Sequence, residues 1–288
     1  MTENLALFVG CVISEILPEL ELASRRLLAK LGIKTIDLNF GCCPSKQVVA
    51  ALDYENWLLI AAKNLAMAEE AKADIISLCN GCTQTLKEAN YALSNDPEKL
   101  KWANTRLKGI GRSYNLKVKV RHVAELLYEM RDKLPIEKKL YSLRLATQPG
   151  CHLLRPSSII RFDNDADPRK LDELISITGA EVIDYSTKTI CCGAALVHDK
   201  EAFSRLTRDK LECLKGKADA LVTACPDCFL TFDHLQGIAG LDFKMPVLFI
   251  TQLIGIAAGL NLEEVCYKAN HIKVPALEGI YKENASSR

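Results

Sequence analysis

Ten of the twelve cysteines fall into two copies of one pattern. The first copy is Cys11, the adjacent pair Cys42 and Cys43, and the couple Cys79 and Cys82. The second is Cys151, the pair Cys191 and Cys192, and the couple Cys225 and Cys228. The offsets between equivalent cysteines are 140, 149, 149, 146 and 146, so both halves follow one plan. Neighbouring segments repeat as well: DIISLCNGCTQTL from Asp74 matches DALVTACPDCFLTF from Asp219, and VRHVAELLY near His122 matches VLFITQLIG near Ile250. A chain that repeats itself folds as repeated units. The halves are expected to divide as 1–138 and 139–288, within the charged stretch around Pro135.

Each half alternates strand and helix patterns. ALFVG and DIISL are short apolar runs ending at a cysteine, as buried parallel strands do. Helices are expected from Glu19, closed by Gly32, and over Glu55 to Ala73, with IKTIDL between them as a strand. The second half repeats this order in PRKLDELISITGAEVIDY. The expected fold is therefore α/β: two tandem, pseudo-twofold-related repeats, each with a small parallel sheet flanked by helices. Tyr91 to Asn115 is extra to the first half and is expected to form a helix plus loop. Cys11, Cys79, Cys151 and Cys225 directly follow predicted strands, where such folds place their ligand sites.

The chain of 288 residues has room for two cores, and its net charge of +1 gives no reason to expect nucleic acid or an anionic membrane as partner. The N-terminus has no basic region before its short apolar run, so a reducing cytoplasmic location is expected, where patterned cysteines bind metals or catalyse. Met245 to Leu262 carries no charge but is interrupted by Pro246 and two glycines. It is expected to be a strand, an N-capping Thr251 and a buried apolar helix, with no membrane span.

Five converging thiols per half suit a soft-metal centre. A structural zinc site and an ordinary iron–sulfur cluster each use four ligands, one fewer than is present. Adjacent cysteines suit an extended cluster of several irons better than one small ion. Zinc in one or both halves is the alternative, since Cys-x-x-Cys is also a zinc element. Cys213 and Cys266 have no counterparts and are read as helical core or surface residues.

The doubled cysteine set, the literal Cys191-Cys192-Gly193 and the context PGCHLLRPS around Cys151 resemble the tandem cysteine-rich CCG-domain family that includes the B-type subunit of heterodisulfide reductase. The first half departs only in having Pro44 after its pair. The resemblance implies two noncubane [4Fe–4S] clusters, one held by Cys11, Cys42, Cys43, Cys79 and Cys82, the other by Cys151, Cys191, Cys192, Cys225 and Cys228. The implied reaction cleaves the coenzyme M–coenzyme B heterodisulfide to two thiols, each cluster delivering one electron and capturing one thiolate. That substrate is anionic. Lys46, His152 and Arg155 follow cysteines at strand ends and are candidates to pair with it, His152 also to donate a proton.

The sequence has neither a ferredoxin-type cysteine run nor a Gly-x-Gly-x-x-Gly, so electrons are expected from another polypeptide. The resemblance implies a ferredoxin-like C-type subunit, a flavin-bearing and electron-bifurcating A-type subunit, and an upstream hydrogenase or formate dehydrogenase. The rival reading is an electron-transfer or assembly component of a lactate, glycolate or fumarate redox complex, with zinc or a single cluster.

Overall fold

The computed structural model of the protein describes residues 4–279. In the first half β1 (Asn4–Phe8) leads through α1 (Cys11–Ile16) and α2 (Pro18–Lys30) to β2 (Thr35–Ile36). Then follow α3 (Tyr54–Glu70), β3 (Ala73–Ser77), α4 (Asn80–Ser94), α5 (Pro97–Leu107), β4 (Val120–His122) and α6 (Val123–Glu129). The second half repeats this as β5 (Arg144–Gln148), α7 (Cys151–Leu154), α8 (Ser157–Ile160), α9 (Lys170–Ser176), β6 (Glu181–Val182) and α10 (Lys200–Glu212). It ends on β7 (Ala220–Thr223), α11 (Pro226–Phe229), β8 (Val247–Phe249) and α12 (Ile250–Ala257).

All pairings are parallel, and the strand orders are β2-β1-β3-β4 and β6-β5-β7-β8. The chain leaves β1 toward one edge and returns on the other side at β3. The crevice at this reversal, outside the carboxyl ends of the strands, is where an open α/β sheet builds its site. Cys11 follows β1 and Cys79 follows β3; Cys151 and Cys225 do the same after β5 and β7. The sheets thus deliver the cysteines to equivalent places.

The halves meet by reciprocal contacts. α4 packs on α7 as α11 packs on α1, and α2 packs on α12 as α9 packs on α6. Exchange of equivalent partners is the signature of a twofold relation. One continuous core crosses the junction, from Leu7, Leu20 and Leu27 to Leu221, Phe249 and Leu253. A second cluster around Trp57, Leu65 and Leu86 serves the first half alone. Here α5 and its following loop form the expected extra segment, with Tyr114 filling the core beneath them.

Some expectations need correction. Only Thr35–Ile36 of the predicted IKTIDL strand pairs. The long helix stops at Glu70, because Ala73 already belongs to β3. Thr251 does not cap α12: it lies within the helix, and its hydroxyl bonds the Ser24 hydroxyl across the junction at 2.8 Å. The side chain of Gln252 instead accepts the Phe249 N–H at 3.0 Å. Cys266 is not helical but sits in a turn with φ +54°, after Asn261 has drawn its side chain onto the N–H groups of Glu263 and Glu264. Among the described residues no helix is long and apolar enough to cross a membrane.

Candidate metal centre

The local chain explains how each cysteine is held. Ser77 and Thr223 end their strands, and each hydroxyl accepts the N–H of the cysteine two residues on while donating to its carbonyl. Cys79 and Cys225 are thereby fixed at the starts of α4 and α11. Gly10 and Gly150 precede the first cysteine of each set, both at φ +84°. A Cβ on Gly10 would lie 2.9 Å from Cys82 Sγ, and one on Gly150 would collide with the Asn80 amide. Only glycine admits this backbone and this approach.

The ten thiols influence one another's ionisation in one continuous series. In the first half it runs Cys11, Cys42, Cys43, Cys82, Cys79. In the second it runs Cys151, Cys191, Cys192, Cys228, Cys225, in the same relative order. The two runs approach each other at Cys225 and Cys79, whose thiols shift each other's pKa. Cys151 Sγ and Cys191 Sγ lie 4.0 Å apart. The middle of the series is buried, whereas Cys11 and Cys42 are exposed beside a crevice of about 360 Å³ that Phe8, Gly10, Arg25 and Phe40 also line.

The thiols perturb one another strongly. Hydrogen bonds from Cys42 and Cys82 hold Cys43 below its ordinary value, those from Cys225 and Cys82 do so for Cys79, and those from Cys151 and Cys192 for Cys191. Sharing its proton with an acceptor thiol pushes each of Cys42, Cys82, Cys151 and Cys228 upward. Five crowded thiolates repel one another unless cations lie between them, and buried soft donors select soft metals. The residues present fit an iron–sulfur or zinc centre in each half.

The other predicted site residues divide. His152 lies at the seam, close enough to help lower the thiols of Cys43 in one set and Cys191 in the other. Gln47 Nε2 stands 3.1 Å from its Nε2, and Nδ1 faces Gly81. The Lys46 ammonium forms an ion pair with the buried Glu88. Arg155 spends its guanidinium on the carbonyls of Thr189 (3.3 Å) and Asp165 (3.1 Å). Cys213 caps the end of α10 and Cys266 lies by Arg26, both outside the thiol series.

Sequence reasoning missed Asp227, which stands where the first half has Gly81. Burial, then the charges of Cys225, Cys43 and Cys191, push its carboxyl up to about 7, so it too faces both sets. Also missed was Asn80, whose buried amide donates to the Pro149 carbonyl across the seam at 2.7 Å. A separate group, Asp233, His234 and His271, is a clamp: Asp233 accepts the N–H groups of His271 (2.7 Å) and Ile272 (3.2 Å) while the two imidazoles stack at 3.7 Å.

Fold and thiols together define a tandem cysteine-rich-domain protein. The cysteine-rich domain named CCG matches residues 5–87 and 145–233. The chain belongs to the family of the B-type subunits of heterodisulfide reductase. It is 35% identical to the B-type subunit of a ferredoxin/F420H2-dependent CoB–CoM heterodisulfide reductase of Methanosarcina acetivorans, over 99% of both chains. It is 34% identical to the B-type subunit of a ferredoxin:CoB–CoM heterodisulfide reductase of Methanosarcina mazei, over 98% of both. A membrane anchor subunit of 8-methylmenaquinol:fumarate reductase from Wolinella succinogenes is 28% identical over 96% of this chain and all of its own. The solved structure of a hypothetical Helicobacter pylori protein shares the fold, with TM-score 0.78 at 18% identity, over 95% of this chain and 53% of that one.

Proposed function

We propose that the protein is the catalytic subunit that reduces the coenzyme B–coenzyme M heterodisulfide to its two thiols. The observation that carries this reading is that the two five-thiol sets converge on one seam, where the equivalent thiols of Cys79 and Cys225 shift each other's pKa. A disulfide is a two-electron substrate that yields two thiols, and this site has two equivalent halves around one axis.

Cys11, Cys42, Cys43, Cys79 and Cys82 would hold one noncubane [4Fe–4S] cluster, and Cys151, Cys191, Cys192, Cys225 and Cys228 the other. When bound, such clusters supply one-electron reduction and iron sites with affinity for thiolates. The chain's own residues do the rest. With the Gln47 amide donating to Nε2, the Nδ1 of His152, which faces Gly81 in the Cys79–Cys82 turn, is left to donate. It is placed to protonate a departing thiolate. Gly10 and Gly150 keep the backbone clear of the sulfurs. Lys46 would offer its charge to an anionic substrate arm only by sharing it with Glu88. Electrons would come from a ferredoxin-like C-type subunit, supplied by a flavin-bearing A-type subunit.

The test is metal content on protein purified without oxygen, followed by disulfide reduction with a reduced viologen donor. About eight irons per chain and negligible zinc are expected for two four-iron clusters, with release of two thiols per disulfide. About two zincs and no iron would sink the catalytic reading. The fumarate-reductase relative favours a second reading, an electron-transfer role. Iron-loaded protein that passes electrons to a redox partner but leaves the heterodisulfide intact would establish it.

A further inference from the structure

Asn64 and Lys210 hold the same place in the two halves. Asp53 caps α3 by accepting the Asn56 N–H at 3.0 Å, and Asp199 caps α10 by accepting the Ala202 N–H at 3.1 Å. Asn64 and Lys210 each lie eleven residues beyond that aspartate (64 − 53 and 210 − 199). Both are fully buried. Both tie their helix to the segment that enters the adjacent cysteine pair. Asn64 accepts the Gly41 N–H at 2.9 Å and donates to the Cys42 carbonyl at 3.1 Å. Lys210 donates to the carbonyls of Thr187 and Lys188. One residue is neutral and the other is a cation.

A buried ammonium is costly unless an anion answers it. The neighbouring Lys188 has its carboxylate, Asp172. Among the described residues no carboxylate pairs with Lys210. The ionisable groups that bear most on it are the thiols of Cys228, Cys192, Cys191 and Cys213, and the first three belong to the second set. Burial pulls its pKa down to about 8, which leaves the ammonium the main form at neutral pH. Adding an electron to a metal centre adds a negative charge, and a nearby buried cation stabilises that state.

Taking the reading that each set holds an iron–sulfur cluster, we propose that Lys210 makes the second site easier to reduce than the first, where Asn64 supplies no charge. Lys210 is then a positioning residue for charge, and the asymmetry directs an electron from a low-potential one-electron donor toward Cys151, Cys191, Cys192, Cys225 and Cys228. The step is the uptake of one electron with no bond made or broken.

The experiment is a redox titration of the anaerobic full-length protein with dithionite, followed by electron paramagnetic resonance, with iron counted in every sample. Lys210→Asn, which copies the first half, should keep its iron and move one cluster's midpoint to lower potential while the other stays. Lys210→Arg should keep the wild-type midpoints. Asn64→Lys should raise the other midpoint, and it decides the matter should Lys210→Asn not fold. Iron-replete Lys210→Asn with both midpoints unmoved, or Asn64→Lys without a positive shift, overturns the proposal. Wild-type protein without iron overturns the cluster reading itself, and with it this inference, before any variant is made.

Discussion

Cys79 and Cys225 occupy equivalent positions in the two halves, each at the start of a helix, and each thiol shifts the pKa of the other. Equivalent residues neighbour each other only at a twofold axis, so the axis passes between the two thiol sets.

His152 lies beside the axis, near one cysteine of each set. Replacing it by Ala should lower kcat for heterodisulfide reduction by ~10²-fold, the usual worth of a positioned proton donor. Iron content should be unchanged. Steady-state kcat and KM, with iron counted in each sample, check this: kcat should fall while KM and iron content hold.

Gly10→Ala should destabilise the protein by about 1–3 kcal/mol through its positive φ, and should also displace Cys82 and lower iron content. Gly32→Ala is the control. Gly32 has φ +71° but nothing within 4 Å of its added Cβ. It should cost only the backbone strain, about 1–2 kcal/mol, and leave the iron intact. Denaturant midpoints and iron counts separate the two effects.

His122 ends β4, is fully buried, and accepts the Ala124 N–H on Nδ1. Burial, then the charge of Lys87, pulls its pKa down to about 3. The unfolded chain takes up this proton below about pH 6.5 and the folded protein does not. Stability from this group is therefore full above that pH and lost as pH falls toward 3. Between pH 7 and pH 5 the loss is ~2 kcal/mol. The equivalent residue on β8 is Phe249, by matching register. His122→Phe should remove this part of the pH dependence of urea unfolding.

Asp172 is buried with Lys188 and accepts the Thr147 hydroxyl at 2.7 Å. Asp172→Ala leaves Lys188 without its main buried partner and should cost about 3–5 kcal/mol. The double variant with Lys188→Met should recover most of that loss, as read by thermal or denaturant unfolding.

Much of this protein is legible in one dimension. Two copies of a spaced cysteine set, apolar runs ending at Cys11, Cys79, Cys151 and Cys225, and helix patterns closed by glycine determine a doubled α/β chain with thiols at its strand ends. Those signals are local: strand, turn and helix preferences act over a few residues, and a repeat is visible without folding. The order in which the thiols neighbour one another, the approach of Cys79 to Cys225, and the seating of His152 between the sets while Arg155 turns to backbone carbonyls were decided by tertiary structure. So was the placing of Lys210 behind one set and Asn64 behind the other. The physical reason is common to all of these. They depend on how two helical layers pack across a twofold axis, and that packing is set by a core shared between residues more than a hundred positions apart.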